Sequence, residues 1–382
     1  MTKKSVFVGI SGGVDSAVSA AFLKKEGYDV TGVFIKAWTP SGYPCTWKED
    51  RRSAMRVAAV LDIPFITLDL EKEYKKEVVD YMIAEYKAGR TPNPDVMCNK
   101  EIKFGHFLKF ALDNGADYVA TGHYAQILSP KLPKKVLEKS LACATRRPED
   151  FSERSFLGQL LEGADKNKDQ SYFLWTLTQN QLKHVLFPIG HMQKAEVRKL
   201  AEKFGLPQAT RKDSQGLCFL GKVDMKEFLS RYIPQKRGDV LNEKEEIIGY
   251  HNGAFFFTIG ERHGFVVTKK SDKETPLYVV TKNVEENTIT VSQKHFGRSS
   301  KMLLKEVELK DVNLINEIKN KNLLCRIRYR QEKIPCKIEK QNEKVKVIFD
   351  KPQMGVSAGQ SLVLYDGEIC LGGGIIDSTS SL

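Results

Sequence analysis

Apolar residues in the first half of the chain follow two rhythms. SVFVGI (5–10), DVTGVFI (29–35), PFITLDL (64–70) and ADYVATGHYA (116–125) are short apolar runs, as in strands buried on both faces. Between them the spacing turns helical. In AVSAAFLKKEGYDV, Val18, Phe22 and Lys25 recur at helical intervals and Gly27 stands at the stop position. KEDRRSAMRVAAVLDI (48–63) reads as a helix ending before Pro64. EKEYKKEVVDYMIAEYKAG (71–89) sets Val78, Met82 and Tyr86 on one stripe, with Gly89 as its stop, and EIKFGHFLKFALDNG (101–115) is a further helix. Four strands with intervening helices predict an α/β fold with a doubly wound parallel sheet.

After about residue 235 the rhythm changes. FFFTIG, GFVVTKK, PLYVVTK, NTITVSQ, CRIRYRQ, PCKIEK, VKVIFD, SLVLYDG and EICLGGGII are short alternating or apolar runs separated by turn residues. They predict an all-β region of one or two small barrels. No internal repeat is visible. Three domains are expected, over 1–210, 211–296 and 297–382, the last basic.

Composition narrows the class. At 41% hydrophobic and 28% charged, 382 residues suffice for sizeable cores. No apolar run approaches the ~20 residues of a membrane span. MTKKS runs straight into the first strand without an apolar leader, so a cytoplasmic location and no membrane partner are expected. The formal net charge of +12 suits an anionic partner. Residues 301–351 hold 14 Lys or Arg against 8 Asp or Glu, half of that excess. Within them Arg326, Arg328 and Arg330 alternate along CRIRYRQ, opposite Ile327, Tyr329 and Gln331. Such a face is by itself more often a solvated barrel surface; coupled to a nucleotide-activating domain it would read as a nucleic-acid platform. Seven cysteines without a C-x-x-C pair argue against a disulfide scaffold and a zinc ribbon, and no structural metal is expected.

Two places carry candidate chemistry. GISGGVDSAV (9–18) follows the first strand and opens the first helix. Glycines admit backbone N–H groups close to an anion, and the helix N-terminus adds positive potential. The lysine of the usual phosphate loop is missing. An ordinary tight turn with Asp15 or Ser16 as N-cap is the alternative; the full S-G-G-x-D-S string favours anion binding. The second place is a pair of cysteines. Cys98, in GRTPNPDVMCNKEIKFG, is expected just before a helix start, where the dipole and nearby Lys100 would stabilise a thiolate. Cys218 lies in KDSQGLCFLG, a loop with Gly216 and Gly221. Cysteine is also among the most buried residue types, so each alone reads more readily as core filler. Cys45, Cys143, Cys325, Cys336 and Cys370 have no comparable setting.

The S-G-G-V-D-S string resembles the loop of the ATP pyrophosphatases, which cut ATP between the α and β phosphates and pass AMP to a substrate oxygen. More widely, NPDVMCNKEIKF, ATGHYA, NKDQSYFLWTL, KDSQGLCFLG, HNGAFFFTIGERHG, RIRYRQEKIPCKIE and GQSLVLYDGEICLGGGII occur in an order that resembles the bacterial tRNA-specific 2-thiouridylases nearly end to end. That resemblance implies ATP-dependent conversion of the wobble uridine of tRNA to 2-thiouridine, with sulfur from a persulfide relay protein. It implies that Gly9, Ile10, Ser11, Gly12, Gly13, Val14, Asp15 and Ser16 line the ATP phosphates, with Asp15 helping to position Mg2+. Ile35 would contact adenine, where the family usually has methionine, and Gly122 would admit the nucleotide. It implies a persulfide on Cys218, Cys98 as the nucleophile that leaves a Cys98–Cys218 disulfide, and Asp95 as general acid or base. A loop movement is expected to bring the two thiols together. Asn93, Pro94 and Asp95 would meet the target base. Lys168, Asp169, Gln170, Arg328, Tyr329 and Gln360 would contact tRNA, as would His123, for which a structural role is the alternative. The stretch 127–165 is longer than the family's usual hairpin and reads as an extra tRNA arm or a disordered loop. An amidating ATP pyrophosphatase and a non-catalytic tRNA-binding protein are the competing readings.

Overall fold

The computed structural model describes residues 3–43, 47–128, 158–211, 218–219, 221, 224–268, 276–293, 303–320, 322–341 and 344–380. Cys45, Cys143 and most of the long stretch after Gln126 lie outside these residues. The chain lays down β1 (Ser5–Gly9), β2 (Asp29–Lys36), β3 (Phe65–Asp69), β4 (Tyr118–Ala120), an antiparallel hairpin of β5 (Ala125–Leu128) and β6 (Gln159–Glu162), and then β7 (Val185–Leu186). Strands β3-β2-β1-β4-β7 form one sheet, and every pairing in it is parallel. The four expected strands are present. The fifth, β7, has only two residues, too short for any periodicity to reveal.

Helices pack against this sheet, and its central strand is the most deeply covered; Val6 and Val8 are wholly buried. These helices are α1 (Val14–Lys25), α2 (Trp47–Val60), α3 over 71–87 and α4 over 94–113. Both α3 and α4 contain π-helical segments, Lys75–Asp80 and Cys98–Phe107. β1 lies between β2 and β4, where the strand order reverses, and the glycine loop leaves its carboxyl end. This is the position at which open parallel sheets bind ligands.

Residues 225–293 carry a second sheet, β10-β9-β8-β12-β11, built from β8 (Gly238–Leu241), β9 (Ile247–His251), β10 (Phe265–Val267), β11 (Tyr278–Asn283) and β12 (Thr288–Ser292). FFFTIG, expected as a strand, instead makes a 3-10 turn at Ala254–Phe256 that sends Phe257 into the core of this sheet.

The last domain is a closed six-stranded barrel, β13-β16-β15-β14-β17-β18 with β13 paired back to β18. Its strands are β13 (Leu304–Leu314), β14 (Leu323–Arg326), β15 (Ile334–Gln341), β16 (Lys344–Gln353), β17 (Ser361–Asp366) and β18 (Ile369–Ser380). At Gly372 the backbone has φ +120, and a Cβ there would lie 2.1 Å from the Asn313 carbonyl oxygen, so only glycine lets β18 turn this corner. The hairpin β5–β6 extends the barrel sheet through β18, although it belongs in sequence to the first domain. Among the described residues no helix is long and apolar enough to cross a membrane.

The alternation of arginines in CRIRYRQ does not make a flat basic face. β14 ends at Arg326 and the chain turns, with Arg330 at φ 62. Arg326 points inward, 2.7 Å from Asp169 and 3.0 Å from Glu162. Lys333 and Lys166 also reach Glu162, at 3.1 and 3.0 Å. The Glu162 and Asp169 side chains are each 2% exposed, so their charges require these cations. An Arg326→Ala variant is expected to lose about 3–5 kcal/mol of stability, because it strands buried carboxylates. Urea unfolding of the full chain checks this, and a loss below about 1 kcal/mol would mean that water solvates the pair.

Candidate active site between the glycine loop and two thiols

Helix α1 begins at Val14 with Gly13 as its N-cap and no side-chain cap. The first N–H groups of the helix therefore remain directed at the space beyond β1, as anion binding requires. The capping role weighed for Asp15 and Ser16 is not what they do. The Ser16 hydroxyl donates to the Gly13 carbonyl at 3.1 Å and accepts from the Ser11 N–H at 3.2 Å, which folds the loop on itself. Gly12 has φ +79, and a Cβ there would lie 2.7 Å from the Asp50 carbonyl oxygen. Gly122 is pressed by the loop: a Cβ would sit 2.7 Å from the Ser16 nitrogen. The glycine is needed for that close approach of two protein segments.

The loop's own carboxylate is held by a distant lysine. Lys194, first residue of α5 (Lys194–Lys203), places its ammonium 2.7 and 2.8 Å from the two Asp15 carboxylate oxygens. The Tyr124 hydroxyl donates to the same carboxylate at 2.8 Å. Of the other carboxylates at this cavity, Asp50 pairs with Arg211 at 2.6 Å and Asp95 accepts a backbone N–H. Among the described residues no group of three or more His, Cys, Asp or Glu is placed to hold a metal ion. These side chains do not by themselves form a magnesium cage.

The second half of the site is built on α4. Asn93 caps it, accepting from the Val96 N–H at 3.3 Å, and Pro94 occupies the first turn. Helix α4 thus begins before Cys98, which lies one turn inside it and is wholly buried. The expected thiolate at a helix start is not found: burial pushes the Cys98 thiol well above its ordinary range. Lys100 is not its neighbour either, and pairs with Glu101 at 2.9 Å. The cation at the thiols is Lys103. In a π-helical segment i→i+5 bonding stacks residues five apart, so Lys103 comes to lie beside Cys98.

Cys218 is held from both sides of its peptide. Its N–H donates to Asp95 at 3.0 Å, and its carbonyl accepts from the Tyr74 hydroxyl at 2.6 Å. Phe219 packs edge-on against Tyr74. The Cys98 and Cys218 thiols are hydrogen-bonded to each other across 120 positions of sequence, and both are free. No loop movement is needed to bring them together. Cys218 is brought down to about 7, first by the hydrogen bond from Cys98, with burial opposing and Lys103 assisting. Burial raises Asp95 above the usual carboxylate range. His123 is buried and held neutral by burial and by Lys103; its Nδ1 donates to Thr121 at 2.7 Å and its Nε2 accepts from Lys103 at 3.4 Å.

One cavity of about 660 Å3 runs from the glycine loop to Cys218. Gly9, Ile10, Ser11, Gly13, Val14, Asp15 and Ser16 line one end, with Ile35 and Gly122. Asp95, Lys103, His123 and Cys218 line the other, and Lys168, Gln170 and Tyr329 stand on its wall. Five expected residues act behind it. Asp169 is buried and accepts from the Gly163 and Ser171 N–H groups. Arg328 donates to the Gly355 carbonyl, and Gln360 to the Thr91 and Pro92 carbonyls at 2.8 and 3.2 Å. Asn93 and Pro94 shape the start of α4.

A family model described as a tRNA methyl transferase HUP domain matches residues 4–222, a PRC-barrel domain of the same family matches 226–293, and an aminomethyltransferase beta-barrel domain matches 304–376. A tRNA-specific 2-thiouridylase MnmA of Streptococcus thermophilus is 43% identical, covering 98% of this chain and 96% of that protein. The chain belongs to the tRNA-specific 2-thiouridylase family. A second member, from Lactococcus lactis subsp. cremoris, is 44% identical over 97% of this chain and 94% of its own length. Enterococcus faecalis has another at 42%, over 98% and 96%.

Alkylation of Cys218 in this family member is expected to follow an inflection near pH 7, since the thiolate reacts and is lost as pH falls through that value. Cys98→Ala removes the leading cause and should move the inflection upward by about one unit. Peptide mass spectrometry of iodoacetamide-treated protein across pH reads both.

Proposed function

We propose that this chain is an ATP-dependent sulfurtransferase that converts the wobble uridine of tRNA to 2-thiouridine. The observation that carries the reading is a cavity joining an anion-ready glycine loop to Cys218, with the Cys98 thiol buried behind it. The C2 oxygen of uracil is amide-like and leaves poorly. Transfer of AMP from ATP to that oxygen, with release of pyrophosphate, makes it a good leaving group. The loop Gly9–Ser16 would hold the phosphates through its backbone N–H groups, and Ile35 would lie against the adenine. Magnesium enters this reading only as the companion ion of ATP, ligated mainly by phosphate oxygens.

The two thiols divide the sulfur chemistry. Cys218, the more acidic, would attack the outer sulfur of a persulfide on a donor protein, forming its own persulfide and expelling the donor thiolate. Cys98, as thiolate, would then attack the inner sulfur. That step forms the Cys98–Cys218 disulfide and releases hydrosulfide, which adds at C2 and displaces AMP; direct attack by the persulfide is the other route. Asp95 would take the Cys98 proton, which its raised affinity for protons supports. A thiol reductant restores the pair. Lys168, Gln170 and Tyr329 at the cavity wall suit contact with an unstacked anticodon nucleotide. His123 would stand closest to the base, with Asn93, Pro94, Asp169, Arg328 and Gln360 supporting the wall from behind. Substrate and chemistry fit a reducing cytoplasm.

Protein incubated with ATP, a persulfide donor and unmodified tRNA is expected to yield AMP and thiolated tRNA in equal amounts, read by chromatography and by retarded migration on a mercury gel. Cys218→Ser should abolish thiolation while leaving tRNA binding intact. Thiolation without AMP, or full turnover by Cys218→Ser, would overturn the reading. Affinity for tRNA should fall steeply with added salt as counterions are released.

A further inference from the structure

Lys103 is a half-buried lysine that reaches the end of the cavity lined by Cys218. A buried ammonium is costly unless an anion compensates it. Among the described residues no carboxylate lies within ion-pair distance of its nitrogen. The groups facing it are Cys98 and Asp95 from its own helix, His123 from the turn after β4, and Cys218 from its clamped segment, with Tyr74 of α3 behind. His123 is neutral and occupies one ammonium proton as acceptor. Tyr74 is held protonated by burial and donates to the Cys218 carbonyl. Asp95 gives one carboxylate oxygen to the Cys218 N–H and also faces Lys103. Cys98 donates its proton to Cys218. Cys218 and Asp95 are thus the groups on this cavity that can balance the charge, and the Cys218 sulfur acts on Lys103 more strongly than the carboxylate does.

We propose that Lys103 is a catalytic residue of sulfur transfer, the counter-ion that keeps the sulfur borne by Cys218 anionic, first as thiolate and then as the terminal sulfur of its persulfide. This rests on Cys218 being the sulfur carrier. In the loading step the Cys218 thiolate attacks the outer sulfur of the donor persulfide; one S–S bond forms, one breaks, and the donor leaves as a thiolate with no net oxidation. The negative charge moves from the Cys218 sulfur onto the added sulfur, and a lysine on its long stem can follow it. Lys103 thus works on the sulfur half of the reaction and not on the nucleotide half.

The test compares the full chain with Lys103→Met and Lys103→Arg. Iodoacetamide labelling of Cys218 is followed by peptide mass spectrometry from about pH 6 to pH 9, a range that brackets a thiol between depressed and ordinary values. Lys103→Met is expected to move the inflection up by at least about one unit and to slow labelling at pH 7 roughly tenfold, and Lys103→Arg to keep it near the parent value. ATP binding and near-ultraviolet circular dichroism identify folded protein; if the methionine variant does not fold, Lys103→Gln takes its place. A folded neutral variant with an unmoved inflection overturns the role of Lys103, even where thiolation depends on Cys218. A moved inflection together with thiolation by Cys218→Ser overturns the carrier reading instead.

Discussion

The site depends on a two-sided clamp on one peptide. Asp95 takes the N–H of Cys218 and Tyr74 gives its hydroxyl to the carbonyl of the same residue. Those two bonds, with Phe219 packed on Tyr74, hold Cys218 against α4 where the thiols meet. Both holding groups are themselves buried in helices packed on the parallel sheet. The rigidity of the sheet is thereby transmitted to a short length of loop. The consequence is chemical asymmetry: the deeper thiol holds its proton more tightly than usual and the shallower one, beside the cavity, less tightly.

Much of this was readable from residues alone. The parallel sheet followed from unbroken apolar runs alternating with helical ones, and the glycine loop from a local string whose geometry is set by its own residues. The cysteine pair came from family resemblance rather than from physics, because nothing local separates a reactive thiol from a buried one. What escaped were partners recruited from afar. Lys194 reads as a solvated residue at a helix start, and only the meeting of α1 with α5 brings it to Asp15. Lys103 escaped because an α-helical wheel places it away from Cys98; the π-helical winding that brings them together leaves no periodic trace. Arg326 misled by its alternation with Arg328 and Arg330. A strand pattern cannot tell an arginine facing water from one answering two carboxylates in another domain.

The domains are less separate than their sequence boundaries. The hairpin β5–β6 belongs by order to the nucleotide-binding half, yet it lengthens the barrel sheet. Its Glu162 and the nearby Asp169 accept Arg326 from β14. Tyr172 reaches the Ser361 carbonyl at 2.8 Å and also contacts the Asn93 cap of α4. The α/β core itself includes Val363, Tyr365 and Cys370 of the barrel.

Gln360 and Gly359 draw out what this continuity means. The turn before β17 grips the main chain just ahead of α4: Gln360 bonds the Thr91 and Pro92 carbonyls, and Gly359 comes so close to Thr91 that a methyl group would not fit. The far end of the polypeptide therefore serves as a buttress for the reaction chamber. Severed at its linkers, the catalytic half would keep its sheet but lose the abutment for the helix bearing Asp95 and Cys98. RNA seated on the barrel would be resting on part of the same masonry that sets the distance between the sulfurs.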